Sequence, residues 1–238
     1  MARLPETRNE PRITANDLAL YMVSSDTARV GIIRRAKHPQ APPIIRYRDV
    51  RPVVCNFLAD DNRQVNRLVQ AEEMFARRMD DDAESSLRQD DARASIEVIR
   101  STQGMANQLA AFTFLAAPAQ QDKLDLAGIE VSVRADLFVS APIRGVQHNG
   151  VAVLRLTQDD ADTDAARSKR RDMGLYVATL ARMHIEQNFA SREPISNRLC
   201  MSIDVQHGEA FQTPDANTRR RNDLENACRF ISAMWASV

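Results

Sequence analysis

Arg155 needs a chemical explanation. It sits in the apolar run Gly150-Val-Ala-Val-Leu-Arg-Leu156, which reads as a strand. A guanidinium stays charged at every physiological pH, and burying one without a counter-charge is costly. A carboxylate or a phosphate should therefore face it. Asp136, in the preceding run Val131-Ser-Val-Arg-Ala-Asp-Leu-Phe-Val139, is the expected partner, giving an Asp136–Arg155 salt bridge. Taken alone, Asp136 would be a turn or strand-edge residue bonded to backbone. Basic clusters occur at Arg34, Arg35, Lys37; at Arg46, Arg48, Arg51; at Arg167, Lys169, Arg170, Arg171; and at Arg219, Arg220, Arg221. Arg167, Lys169, Arg170 and Arg171 fall in the first turns of an expected helix, where phosphate is favoured, so they are the candidate nucleic-acid contacts. The competing reading is a solvated helix face neutralised by Asp159, Asp160 and Asp162.

The bulk properties bound these readings. The chain has 238 residues, enough for one large domain or two small ones. Its 32 basic and 32 acidic side chains cancel, which argues against coating nucleic acid by bulk charge but leaves room for a local basic groove. Aromatic content of 5% gives little for a base-stacking platform. Cys55, Cys200 and Cys228 are far apart and odd in number, and the four histidines form no HxH or HExxH pattern. Reduced, buried thiols are expected rather than disulfides or a structural zinc site. No P-loop, GxGxxG or Ser-His-Asp pattern appears. No secretory h-region or membrane-length apolar run is present, so a cytoplasmic protein is expected.

Periodicity then places the elements. Residues 1–12 read as a loose arm. Thr14–Lys37 is helical, with Thr14 or Asn16 as cap and an interruption at Ser24-Ser25-Asp26. Helices follow at 44–60 and 63–79, with a loop at Asp80-Asp81-Asp82. A long helical stretch spans 87–116, with Ile96, Ile99, Met105, Leu109, Phe112 and Leu115 as its stripe. Ile129, Val131 and Val133 then alternate with polar residues as a half-buried strand. Strands at Leu137–Val139 and Val151–Leu156 follow, with Asp136 in a hairpin. A helix covers 163–190, Leu199–Val205 is a strand paired with Glu209–Gln212 through His207-Gly208, and a last helix covers 219–236. On the 163–190 helix, Tyr176 is expected in the core with its hydroxyl satisfied, and His184 and Gln187 partly exposed. The expected class is α/β, with a helical accessory region over 1–86 and an α/β domain over 87–238.

The order α (87–116), β, β (Asp136), β (Val151–Leu156), α (163–190), β (199–205) resembles the PD-(D/E)XK nuclease-like core (α-β-β-β-α-β), the superfamily of restriction endonucleases and RecB-like exonucleases. The GxxVSVRADLFV…GVAVLRL stretch and the ending Leu224–Trp235 are also similar to uncharacterised bacterial proteins that carry such a core, several of them near phage-defence genes. The resemblance implies a first metal-binding carboxylate at Asp136, a second at position 153 and a lysine at position 155. Here those two places hold Val153 and Arg155. Valine cannot ligate a metal, and arginine cannot act as a base, though it can clamp phosphate. Glu97, on the preceding helix, could supply a relocated carboxylate.

Three functions follow as expectations. The first is a DNA- or RNA-binding nuclease-like protein of a bacterial defence or mobile-element complex, with its catalytic motif degraded and no cofactor. The second is an active Mg2+-dependent nuclease using Asp136 with Glu97. The third is a non-catalytic scaffold whose helical N-terminal region binds a protein partner or a second copy.

Overall fold

The alternating segments over 129–156 belong to two sheets rather than one. The computed structural model describes residues 7–42, 44–156 and 161–238. Strand β1 (Arg12–Thr14) leads into α1 (Ala15–Met22), α2 (Asp26–Lys37), α3 (Val50–Ala59), α4 (Val65–Met79) and α5 (Ser86–Gly104). Then come β2 (Thr113–Ala116), β3 (Leu124–Leu126), β4 (Ile129–Ser132), β5 (Leu137–Ile143) and β6 (Val146–Arg155). Helix α6 (Asp164–Asn188), β7 (Met201–Asp204), β8 (Glu209–Gln212) and α7 (Thr218–Met234) complete the chain. A three-stranded sheet has the order β1-β4-β3 and a five-stranded sheet the order β2-β5-β6-β7-β8. Both are mixed, so the protein is a mixed α/β fold.

Local chemistry accounts for many of the boundaries. The Thr14 hydroxyl accepts the Asp17 N–H at 3.1 Å and caps α1. Thr163 caps α6 by accepting the Ala166 N–H at 3.2 Å. The expected break at Ser24–Asp26 separates α1 from α2. Gly208, with φ +64°, turns β7 into β8, a conformation that costs glycine little.

The loose arm over 1–12 is shorter than read: residues 1–6 lie outside the described residues, and Arg12 already opens β1, parallel to β4. Both edges of β4 are therefore taken, by β1 and β3, and β4 cannot form a hairpin with β5. Asp136 instead ends the segment 133–136 that carries the chain from one sheet to the other. The helix over 87–116 stops at Gly104, and Thr113–Ala116 forms edge strand β2, antiparallel to β5. Arg63 stabilises the turns between them, donating to the carbonyls of Ala106 (3.3 Å), Leu109 (2.9 Å) and Phe112 (2.7 Å). The carbonyls of Ala106 and Phe112 have no backbone donor among the described residues once the helix has ended, while that of Leu109 also accepts the Phe112 N–H at 3.2 Å.

The five-stranded sheet is covered on both faces. On one side, Val151 and Val153 of β6 pack with α1, α2, α6, α7 and the small sheet. On the other, Ala152, Leu154 and Leu156 pack with α3, α4 and α5. The helices before residue 86 thus supply cover to both faces. Gly150 lets the chain at Leu199 cross β6 at van der Waals contact, since a Cβ there would collide with the Leu199 carbonyl. We expect Gly150→Ala to cost about 1–3 kcal/mol by overpacking against backbone. Denaturant unfolding would check this; an unchanged midpoint would contradict the close approach. Among the described residues, no helix is long and apolar enough to cross a membrane.

Candidate functional site

Asp136 stands where β5 begins, with its side chain only 1% exposed. Its main chain is tied on both sides: its N–H donates to Ala152 O (2.9 Å) and its carbonyl accepts the Ala117 N–H (3.2 Å). The carboxylate then substitutes for the next rung of the β5–β6 ladder, accepting the Leu154 N–H at 2.7 Å. Arg51, from the first turn of α3, places Nη1 2.8 Å from both carboxylate oxygens and 3.2 Å from Leu154 O. Arg134 brings a second guanidinium to 3.8 Å, its side chain largely exposed. Cys55, one turn along α3 from Arg51, has its thiol pushed up to about 12, by burial first and then by the Asp136 charge. It is a neutral thiol rather than a nucleophile.

The expected Asp136–Arg155 pair does not form. Strands β6 and β7 are parallel neighbours in a register that sets Arg155 beside Asp204. Their charged atoms lie 3.4 Å apart, with side chains 3% and 0% exposed. Asp204 also accepts from the backbone N–H of His207 (3.3 Å), and its carboxylate lies 2.9 Å from His207 Nδ1. Asp136 is met instead by a helix on the opposite face of the sheet. The pairing was hidden because it depends on strand register and on α3, neither of which periodicity reveals.

Mg2+ takes several hard oxygen ligands in a near-octahedral shell. Here both oxygens of the single carboxylate, Asp136, already accept from Arg51, and one also accepts the Leu154 amide. Position 153 is a buried valine in the core beneath α6. Glu97 lies on the exposed face of α5, and no described hydrogen bond or ion pair links it to Asp136. Among the described residues, no three His, Cys, Asp or Glu side chains converge as a metal-binding group. The residues at this place do not fit the ion. Removing Arg51 should leave a buried carboxylate short of its best partner. We expect Arg51→Ala to cost about 1.5–3 kcal/mol, the range for a hydrogen bond to a charged group. Thermal unfolding of Arg51→Ala beside Asp136→Ala/Arg51→Ala checks it: the double variant should be the more stable of the two.

The basic cluster at the start of α6 divides. Arg170 is buried and donates to Ala161 O at 2.6 Å, while its own carbonyl lies 3.5 Å from Arg155 Nη1. Arg167 is held by Asp162 at 3.2 Å and Asp164 at 3.8 Å. Lys169 and Arg171 remain exposed. Asp159 and Asp160, the other expected neutralising acids, lie outside the described residues.

His184, which the sequence pattern predicts to be partly exposed, is fully buried. Its Nε2 lies 3.1 Å from Gln121 Oε1, an oxygen that also accepts the Ala135 N–H, so Nε2 carries the proton. Its Nδ1 accepts from Asn188 Nδ2 at 2.9 Å. Burial lowers its pKa to about 4. Gln121 also donates to the carbonyls of Pro118 and Ala135, so this neutral histidine helps hold the segment leading to Asp136. Tyr176 also departs from expectation: it is half-buried, Arg220 stacks on its ring, and its hydroxyl bonds to no described residue. Compared with known proteins, the chain matches no protein-family model and no curated protein.

Proposed function

We propose that the chain is a PD-(D/E)XK nuclease-like protein whose metal centre has given way to ion pairs. It binds DNA or RNA without cutting it, as a subunit of a bacterial defence or mobile-element complex. The observation that carries this reading is the path of the chain through the five-stranded sheet. Helix α5 precedes β2, β5 and β6, which are adjacent and antiparallel; α6 then crosses over to β7, parallel to β6. Asp136 opens the second of these strands and Arg155 closes the third, as the resemblance implies. The small sheet formed by β1, β3 and β4 is an addition to that order. Arg51 on Asp136 and Asp204 on Arg155 supply the charge balance that a metal and its second carboxylate would otherwise supply.

Phosphate contact in this reading comes from exposed cations near those groups, Arg134 first, with Lys169 and Arg171 on α6. The same reading takes a protein partner or second copy on the helical N-terminal region, where Val65 and Val69 stand exposed one turn apart on α4. Fluorescence anisotropy with labelled single- and double-stranded DNA and RNA, at low and at physiological salt, tests it. Arg134→Ala should weaken binding similarly across sequences and flatten the salt dependence, as loss of a phosphate contact does. Absence of binding to every one of these nucleic acids at low salt would refute the reading.

A further inference from the structure

Two basic clusters that are distant in sequence meet in one cleft. Lys169 from the start of α6, and Arg219 and Arg220 from the start of α7, line a cleft of about 680 Å3 together with Ser168 and Tyr176. Its groups are mostly hydrogen-bond donors without acceptors. Lys169 has no ion pair or hydrogen bond among the described residues. The hydroxyls of Ser168 and Tyr176 bond to no described residue. Arg220 lies over the Tyr176 ring, its guanidinium carbon 5.4 Å from the ring centre, and its Nε is buried without a hydrogen bond. Two acids share the cleft. Asp172 lies 3.8 Å from Arg220 and Asp223 lies 4.0 Å from Arg219. Contacts that long orient the guanidiniums without using up their donors. Three cations against two anions leave one net positive charge.

We propose that this cleft binds the phosphate group of a nucleotide or of a nucleic-acid strand. A phosphate offers several acceptor oxygens to a site rich in unused donors, and arginine favours such oxygens in forked geometry. Arg220, braced on Tyr176, and Lys169 approach from different helices, so the ligand lies between α6 and α7. The inference stands on the cleft alone and does not require the nuclease-like reading.

Calorimetric titration of the full chain with inorganic phosphate, adenosine 5′-monophosphate, adenosine and a single-stranded DNA oligonucleotide tests it. Phosphate and the monophosphate should bind, and adenosine should not. Lys169→Ala/Arg219→Ala, which alters only exposed side chains, should weaken phosphate-bearing ligands at least tenfold. Circular dichroism and the unfolding midpoint of this variant should match wild type. Binding of the monophosphate but not the oligonucleotide identifies a small ligand. Oligonucleotide binding that falls at least tenfold in the variant identifies a nucleic-acid backbone. Equal affinity for adenosine and its monophosphate, unchanged affinity in the variant, or no binding of any probe would overturn the proposal. Oligonucleotide binding that survives the double substitution would sink the cleft while leaving the nucleic-acid reading of the whole protein standing.

Discussion

Replacing Arg155 with methionine should destabilise the protein by about 3–5 kcal/mol, the range for breaking a buried ion pair by removing one partner. The loss would come from Asp204 rather than from the methionine, which suits a gap beside an apolar core. Asp204 is fully buried and stands beside Arg155 across parallel strands. With the guanidinium gone, the buried carboxylate keeps only the His207 contacts among the described residues, and a carboxylate in that setting is costly to keep ionised. Arg155→Met/Asp204→Asn should recover more than half of the loss, because it removes the buried charge along with its partner. Urea unfolding of the two variants beside wild type measures both effects. A cost below about 1 kcal/mol for Arg155→Met, typical of an exposed pair, would contradict the buried pairing.

Acid should destabilise the fold through His184. Its pKa lies at about 4 in the folded protein, below the ordinary 6.5 expected in the unfolded chain. The depressed group contributes stability that is fully present above about 6.5 and is lost as the pH falls toward 4. Over that window the unfolded chain binds a proton that the folded chain refuses. A shift of this size corresponds to about 3 kcal/mol. The structural reason lies at Nδ1, which accepts from Asn188, an amide that also donates to the carbonyls of Asp122 and Lys123. A proton on Nδ1 would leave two donors facing each other. In His184→Gln the amide can still donate to Gln121 but cannot titrate. Stability of this variant should be lower than wild type at pH 7 and should fall less steeply between pH 6.5 and 4.5. Carboxylates add the same slope to both proteins, so the difference isolates His184. Parallel profiles would show that His184 does not titrate as inferred.

Much of this fold could be read from residue patterns. The β7–β8 hairpin, the break between α1 and α2, and the cap at Thr14 follow from local chemistry, so they were legible. Strands β1 and β2 were not, because segments of three and four residues become strands only through distant partners. The site failed in the same way. Arg155 correctly signalled a need for a carboxylate, but the choice between Asp136 and Asp204 rested on the β6–β7 register. Arg51, 85 residues before Asp136, looked like one member of a surface cluster. Its one sequence signal was isolation: it is the only charged residue in α3, whose other residues are mostly apolar.

The proposed exchange of a metal for ion pairs would leave nucleic acid bound but uncut. The direct measurement is cleavage of plasmid and single-stranded DNA and RNA in Mg2+ and in Mn2+, at protein concentrations that saturate binding. Wild type and Asp136→Ala should give the same background, with no metal-dependent product. Metal-dependent cleavage by wild type that is abolished in Asp136→Ala would contradict that exchange and make Asp136 a working metal ligand.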